Sequence, residues 1–174
     1  MAHASDAAHA AHDHHGPAKG FIRRWVMTTN HKDIGTMYMV FACAMFFVGG
    51  LMAMVIRAEL FQPGLQFVDP QFFNSMTTAH ALFMIFGGVM PAWVGLANWM
   101  IPMQVGAPDM AVPRMNNFSC WMLPFAFLLL TATLFVPGGS PAGGWTLYPT
   151  LTLQGGAALP MAIFFVFCVG TTCR

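Results

Sequence analysis

The sequence has little charge. Only 7% of its 174 residues are Asp, Glu, Lys or Arg, whereas 57% are hydrophobic. Lysine and arginine together number 7 and leave a formal net charge of +1, so the chain offers no basic patch for nucleic acid. This composition is not that of an ordinary soluble domain and indicates contact with a lipid bilayer.

Cysteine is also scarce. The four cysteines show no CxxC pair and no spacing typical of zinc ligands: Cys43, Cys120, Cys168 and Cys173. Three of them lie within apolar runs, where a free cysteine commonly behaves as a small buried or lipid-facing residue. The cysteines therefore predict neither a disulfide framework nor a zinc site.

Residues 1–20 lack the apolar segment of a signal peptide and any helical stripe of large side chains. We expect a disordered, Ala/His-rich tail. Its histidines are of a type that binds transition metals, but flexible His tracts with few carboxylates also bind metals adventitiously. These histidines are His3, His9, His12, His14 and His15.

Long runs without charge follow the tail. The first, at about 34–56, would extend about 34 Å as a helix, enough to cross a hydrocarbon core of ~30 Å. Two more lie at about 75–101 and 118–136, and a fourth at about 155–170 is somewhat short. Because backbone groups in lipid must bond internally, each run predicts a helix. The expected fold is an all-α integral membrane protein.

Basic residues flank these runs unevenly. The segment before the first run holds Lys19, Arg23, Arg24 and Lys32, and the loop between the second and third runs holds Arg114. The loop after the first run holds Arg57 alone. By the positive-inside tendency, the N-terminus and the 102–117 loop face the cytoplasm. The 57–74 and 137–154 loops then face outward.

His80 is the one ionisable side chain within the second run. The expected topology places it about one turn below the outer surface, level with Arg57. Two interpretations stay open: hydrogen bonding to a neighbouring helix, or ligation of a metal or heme iron. On a helix His80 would share a face with Phe83, Met84 and Gly87, where the glycine would leave room for a flat macrocycle.

Five long motifs occur in series. They are TTNHKDIGTMY (28–38), IRAELFQPG (56–64), TTAHALFMIFGGVMP (77–91), ANWMIPMQVGAPDMAVPRMNN (97–117) and GGWTLYPTL (143–151). In order and spacing they closely resemble the N-terminal part of subunit I of the heme-copper oxidases, over about residues 20–164. NHKDIG and GAPDMAVPRMNN resemble the cytochrome c branch more than the quinol branch or the nitric oxide reductases.

This resemblance implies the first three to four transmembrane helices of the subunit I bundle, with residues 21–174 forming a truncated subunit I domain. The family reduces oxygen to water with electrons from cytochrome c and couples this reaction to proton pumping. The partners that the resemblance implies are the remaining oxidase subunits, cytochrome c and the lipid bilayer. The implied location is a bacterial-type inner (plasma) membrane, with the N-terminus cytoplasmic.

The resemblance also implies roles at a low-spin heme A. His80 matches the histidine that supplies one axial ligand, and Arg57 matches an arginine that contacts the heme formyl group. Trp145 matches a tryptophan whose indole N–H reaches a heme propionate. Glu59 matches a carboxylate at an external cation site in some members, and a plain solvated loop residue is the alternative.

A second group of residues matches the proton-uptake path of the family. Asp109 matches the aspartate at its mouth, and Asn98 and Asn116 match amides that line it. Amide side chains both donate and accept hydrogen bonds, which suits a chain of ordered water. Without the resemblance, Asp109 would be read as a turn residue, since Asp after Pro often starts a turn.

The resemblance weakens near the end of the sequence. Residues 164–174, FFVFCVGTTCR, no longer follow the family pattern. The second axial histidine, the copper ligands and the ligand of the high-spin heme are expected beyond residue 174, so we expect the isolated chain to be inactive. The alternative function is a non-catalytic, truncated membrane fragment with weak or no heme binding.

Overall fold

The computed structural model describes residues 20–137, 139–154, 156 and 158–172. Within these residues the chain forms helices and no strand. The α-helices are α1 (Phe21–Trp25), α2 (His31–Glu59), α3 (Pro70–Leu82), α4 (Met90–Val105), α5 (Pro113–Ala132) and α6 (Ala158–Thr172). A π-helical segment, Phe83–Val89, joins α3 to α4, and short 3-10 helices cover Thr133–Phe135 and Thr152–Gln154. The tail expected for residues 1–20 lies outside the described residues, apart from Gly20.

Within the described residues, three continuous helices are long and apolar enough to cross a membrane: His31–Glu59, Pro70–Val105 and Pro113–Phe135. The shorter α6 is also apolar. This architecture confirms the all-α fold expected of the N-terminal transmembrane region of subunit I.

Each long helix begins several residues before the apolar run that predicted it. The side chain of Asn30 accepts from the N–H of Lys32 at 3.1 Å and caps α2. The side chain of Asp69 likewise accepts from the N–H of Gln71 at 3.0 Å, and Pro70 occupies the first turn of α3. Polar caps and proline favour a helix start without adding hydrophobicity, so hydropathy alone misses these turns.

Glycines let α2 pack closely against α4. A Cβ added to Gly35 would lie 2.8 Å from the carbonyl oxygen of Gly95, and one added to Gly95 would lie 2.9 Å from that of Gly35. Neither position has room for a larger residue. Small residues at such crossings let the backbones of membrane helices approach each other.

Phe127 of α5 is the centre of the aromatic core. Its ring makes edge contacts with Phe41 of α2, Phe83 of the π-helical segment and Phe165 of α6, at centroid distances of 5.4, 5.2 and 4.9 Å. Edge-to-face contacts of this kind add to the free energy gained by burial. Phe127 therefore joins α5 to α2, to the π-helical segment and to α6.

We expect Phe127→Ala to lower the free energy of unfolding by about 3–5 kcal/mol, because it opens a cavity among three aromatic rings. Phe125→Ala is the matched control, since Phe125 lies on the same helix and is 67% exposed. That control should cost less than about 1 kcal/mol. Unfolding in mixed micelles with increasing SDS measures both, and equal losses would contradict the central position of Phe127.

Candidate functional site

The ring of His80 is fixed by the backbone of the neighbouring helix. Its Nδ1 lies 2.8 Å from the carbonyl oxygen of Gly49. A carbonyl oxygen can only accept, so Nδ1 carries the hydrogen and donates it. In the neutral form of this half-buried imidazole, the lone pair is then on Nε2.

His80 and Arg57 do not lie at one level, so the prediction that the two side chains are level with each other is wrong. The imidazole pairs with Gly49, which precedes Arg57 on α2 by about two turns, or about 12 Å along the axis. The cause is the start of α3 at Pro70 rather than at Ser75, which sets His80 deeper within its helix.

The π-helical segment Phe83–Val89 begins shortly after His80 and was not predicted from the sequence. Pro91 follows it and has no N–H to donate to the carbonyl of Gly87. A locally wider helix relieves the clash between a proline ring and the preceding turn. Single π turns within α-helices occur frequently at functional sites, and the GG pair followed by Pro91 was the available signal.

Gly87 does not leave room for a macrocycle, and this prediction is wrong. A Cβ on Gly87 would lie 2.8 Å from the ring of Phe127 and 2.9 Å from the Cβ of Met45. Phe83 is likewise buried against Phe127. The face that was expected to receive a flat ligand at Gly87 is therefore used for helix packing.

The loop that carries Trp145 is attached to the middle of α3. The hydroxyl of Ser75 donates to the carbonyl of Ser140 at 2.6 Å. The backbone N–H of Gly144 donates to the hydroxyl of Thr78 at 3.1 Å, and Gly144 adopts a positive φ of 88°. These bonds hold the loop against the helix that positions His80.

Trp145 follows Gly144 and lies over the π-helical segment. Its ring meets Phe86 edge-on at a centroid distance of 6.5 Å, and 45% of the residue is exposed. The hydroxyl of Thr78 that anchors this loop belongs to the residue two before His80. The structure therefore brings Trp145 to the helical region next to His80, although no described bond joins the two side chains.

Arg57 is exposed in the last turn of α2. It lines an open groove of about 390 Å³ together with Met54, Phe61 and Phe67. Among the described residues Arg57 forms no ion pair. Its guanidinium therefore lies beside apolar surface without a compensating carboxylate in this part of the chain.

Glu59 is the anchor of the loop between α2 and α3. Its two carboxylate oxygens accept the backbone N–H groups of Gln66, Phe67 and Val68 at 2.8, 2.7 and 3.2 Å. The residue is 6% exposed, so the alternative of a plain solvated loop residue is wrong. The external cation site stays a prediction.

Two amide side chains meet between α4 and α5. The Nδ2 of Asn116 donates to the Oδ1 of Asn98 at 3.1 Å, and Asn98 is buried. The sequence predicted both as members of one path, and the structure brings them into direct contact.

Asp109 lies in the loop between α4 and α5 and has two partners. Its Oδ1 accepts the N–H of Met110 at 2.8 Å, as a turn residue does, and lies 3.3 Å from Nδ1 of His31. His31 is buried and was not singled out from the sequence. A histidine next to an expected helix start, in NHKDIG, was the available signal. No described bond joins this pair to the amide pair.

Residues 33–173 match the family model of cytochrome c and quinol oxidase polypeptide I. The chain belongs to this family. It is 42% identical over 140 residues to the probable cytochrome c oxidase subunit 1-beta of Nocardia farcinica. It is 44% identical over 135 residues to cytochrome c oxidase subunit 1 of Corynebacterium diphtheriae, and 42% over 139 residues to that of Corynebacterium glutamicum. These alignments cover 80, 76 and 79% of the chain, but only 24% of each relative.

The oxidase polypeptide I family is one of oxidoreductases, and membership implies heme and copper as cofactors. The residues that the structure describes contain no cluster of three or more His, Cys, Asp or Glu side chains that could hold a metal ion. A heme iron needs only one protein nitrogen on each face. His80 fits this requirement, because a ligating histidine typically donates its other ring N–H to a carbonyl or carboxylate.

We expect Glu59→Ala to release the loop that follows α2 in this oxidase segment. The change removes the acceptor of three backbone N–H groups, so amide hydrogen exchange at residues 66–68 should quicken about tenfold or more. Gln62→Ala, an exposed change in the same loop, is the control and should leave this exchange unaltered. Unchanged protection in Glu59→Ala would mean that the carboxylate does not hold the loop.

Proposed function

We propose that this chain forms the N-terminal part of a cytochrome c oxidase subunit 1 and supplies one axial ligand of the low-spin heme A. The observation that carries the proposal is the hydrogen bond from His80 Nδ1 to the Gly49 carbonyl. This bond fixes the tautomer and the ring orientation, so that Nε2 is presented as a ligand in a set direction. A histidine that only joins two helices makes the same bond, and the heme spectrum of a His80 variant separates the two roles.

Arg57 and Trp145 are the proposed supporting residues of this heme. When bound, the heme accepts and passes on single electrons. A guanidinium near its rim favours the reduced form, because the heme gains negative charge on reduction. The unpaired state of Arg57 among the described residues supports this role, since no carboxylate there neutralises its charge. The indole N–H of Trp145 is suited to donate to a propionate.

The second proposed role is the entrance of the proton-uptake path. Asp109 is partly exposed and can collect protons, while the Asn98–Asn116 pair offers amide donors and acceptors in the interior. We place the N-terminus and Asp109 on the cytoplasmic side of a bacterial plasma membrane, because the basic residues gather there.

Oxygen reduction with electrons from cytochrome c, together with proton pumping, requires residues in the remainder of the subunit as well as residues of this chain. The chain spans about a quarter of the length of its relatives. We propose that copper and the high-spin heme are held by the remainder of subunit 1, with the other oxidase subunits as partners. Exposed apolar side chains along α2, such as Phe46, Phe47 and Leu51, suit contact with lipid or further helices.

His80→Ala tests the heme role in a hybrid oxidase, in which this chain replaces the aligned N-terminal quarter of the Corynebacterium glutamicum subunit 1. We expect the low-spin heme A band to vanish from the reduced-minus-oxidised spectrum and turnover to be lost. Thr77→Ala, an exposed change on the same helix, is the control and should keep both.

An intact low-spin band in His80→Ala would overturn the ligand assignment. The 174-residue chain alone, mixed with heme A and with imidazole as a second axial ligand, tests the alternative of a non-binding fragment. A flat spectrum there, together with a normal hybrid, would mean that the chain needs the remaining helices to bind heme.

Asp109→Asn tests the uptake role in the same hybrid. The amide keeps an acceptor oxygen for Met110 but cannot carry a proton, so proton uptake from the inner side should slow about 100-fold. The low-spin heme band should stay unchanged, because Asp109 lies in the loop after α4 and no described bond joins it to His80. Normal uptake and pumping would show that Asp109 is only a turn residue.

A further inference from the structure

An apolar groove runs between α2 and α5 near the end where both helices begin. Its volume is about 390 Å³, and Trp25 of α1 lines it together with side chains of the two long helices. Val40, Ala44 and Pro124 are among these and are exposed, so the groove lies on the surface of the described bundle. Its lining on α2 and α5 belongs to the apolar runs of those helices. The groove therefore opens into the hydrocarbon region of a bilayer, close to its edge.

The size of the groove suits a single hydrocarbon chain. Along α2 it extends from Met37 to Ala44, which is about 10 Å of helix. With this length, the groove is roughly 6 Å across on average, whereas a helix with its side chains measures about 10–12 Å. A further helix would cover the groove without filling it.

The position of Trp25 at this groove is fixed by a hydrogen bond from α5. The Nδ2 of Asn117 donates to the carbonyl oxygen of Val26 at 2.8 Å, directly after Trp25. On the same short helix, Phe21 and Ile22 are 78% and 73% exposed. Exposed apolar residues next to basic ones are typical of a segment that lies in the membrane interface. The mouth of the groove is therefore built at the depth of the lipid headgroups.

Positive charge gathers at this mouth. The guanidinium carbon of Arg24 lies 5.7 Å from the centre of the Trp25 ring, and the Arg24 side chain is 60% exposed. Its ionic partner Asp33 lies at 4.0 Å, and the adjacent Arg23 is exposed with no ion pair among the described residues. Two guanidinium groups and one carboxylate leave a net positive charge. Guanidinium groups bind phosphate through paired hydrogen bonds.

Trp121 adds a polar group to the wall of the groove. Its ring lines the groove, and its Nε1 is buried without a hydrogen-bond partner among the described residues. Buried polar atoms are nearly always hydrogen-bonded, so an acceptor from outside these residues is expected. Trp121 lies three residues, or about 4–5 Å, inside the apolar run that begins at Phe118. The ester carbonyl groups of a phospholipid lie near this depth and can accept the hydrogen.

We propose that this groove binds one anionic phospholipid. One acyl chain lies between α2 and α5, an ester carbonyl accepts the N–H of Trp121, and the phosphate pairs with Arg23 and Arg24. The site is separate from His80 and Asp109. Its test therefore does not depend on the proposed function.

Native mass spectrometry of the 174-residue chain measures which lipid stays bound. The chain is purified in a neutral detergent with equal amounts of phosphatidylglycerol and phosphatidylcholine. We expect one phosphatidylglycerol per chain, with a preference of about fivefold or more, because no ammonium group compensates its phosphate. Equal retention of the two lipids would overturn the proposal.

Ala44→Leu tests whether the acyl chain lies in the groove. The larger side chain displaces several buried methylene groups of the lipid, so retention should fall about tenfold. Cys43→Leu is the matched control, because Cys43 precedes Ala44, is exposed and does not line the groove. It should retain the lipid fully. Full retention in Ala44→Leu, with unchanged helix content by circular dichroism, would show that the lipid binds elsewhere.

Two further variants test the polar contacts. In Arg23→Gln/Arg24→Gln the preference for phosphatidylglycerol should fall to near parity, while phosphatidylcholine is retained as before. Trp121→Phe keeps an aromatic ring but loses the N–H, so retention of both lipids should fall about threefold. Either variant behaving like the unchanged chain would contradict the proposed arrangement.

The hybrid oxidase tests the site with the remaining helices present. It should retain the same phosphatidylglycerol and lose it in Ala44→Leu. A hybrid without any lipid that responds to Ala44→Leu would mean that a helix of the remaining subunit covers the groove, and would overturn the lipid site.

Discussion

The close approach of α2 to the long helix Pro70–Val105 is the constraint on which the rest of the structure depends. Gly35 and Gly95 let the two backbones meet near one end of the pair. Further along, a Cβ on Gly49 would lie 2.7 Å from the sulfur of Met84, so the helices are close here as well. Only at such a separation can the carbonyl of Gly49 accept the N–H of the His80 ring.

The same pair of helices organises both proposed sites. Towards one end, the His80 ring near the end of α3 reaches the interior of α2, Thr78 anchors the loop of Trp145, and the Glu59 carboxylate lies at the end of α2. At the other end the start of α2 brings His31 to Asp109. The bundle thus separates the proposed site at His80 from the proposed site at Asp109.

Hydropathy predicted the long helices because a charge-free run is a local property that backbone hydrogen bonding in lipid turns into a helix. It did not predict where they begin, since the caps Asn30 and Asp69 are polar. The π-helical segment was not predicted, because helical periodicity assumes the same number of residues per turn throughout a helix. The error in the level of His80 relative to Arg57 followed from the misplaced start of α3, and the error at Gly87 arose because Phe127 is distant in sequence.

The sequence by itself determined the membrane-helical class and, through its five motifs, the oxidase family to which the chain belongs. The motifs also indicated candidate residues for the functional sites. Only the tertiary structure decided which atoms pair: the Gly49 carbonyl with Nδ1 of His80, the Glu59 carboxylate with its own loop, and His31 with Asp109. Hydropathy and periodicity act between near neighbours in the chain, whereas the distance from residue 31 to residue 109 is set by how the helices pack.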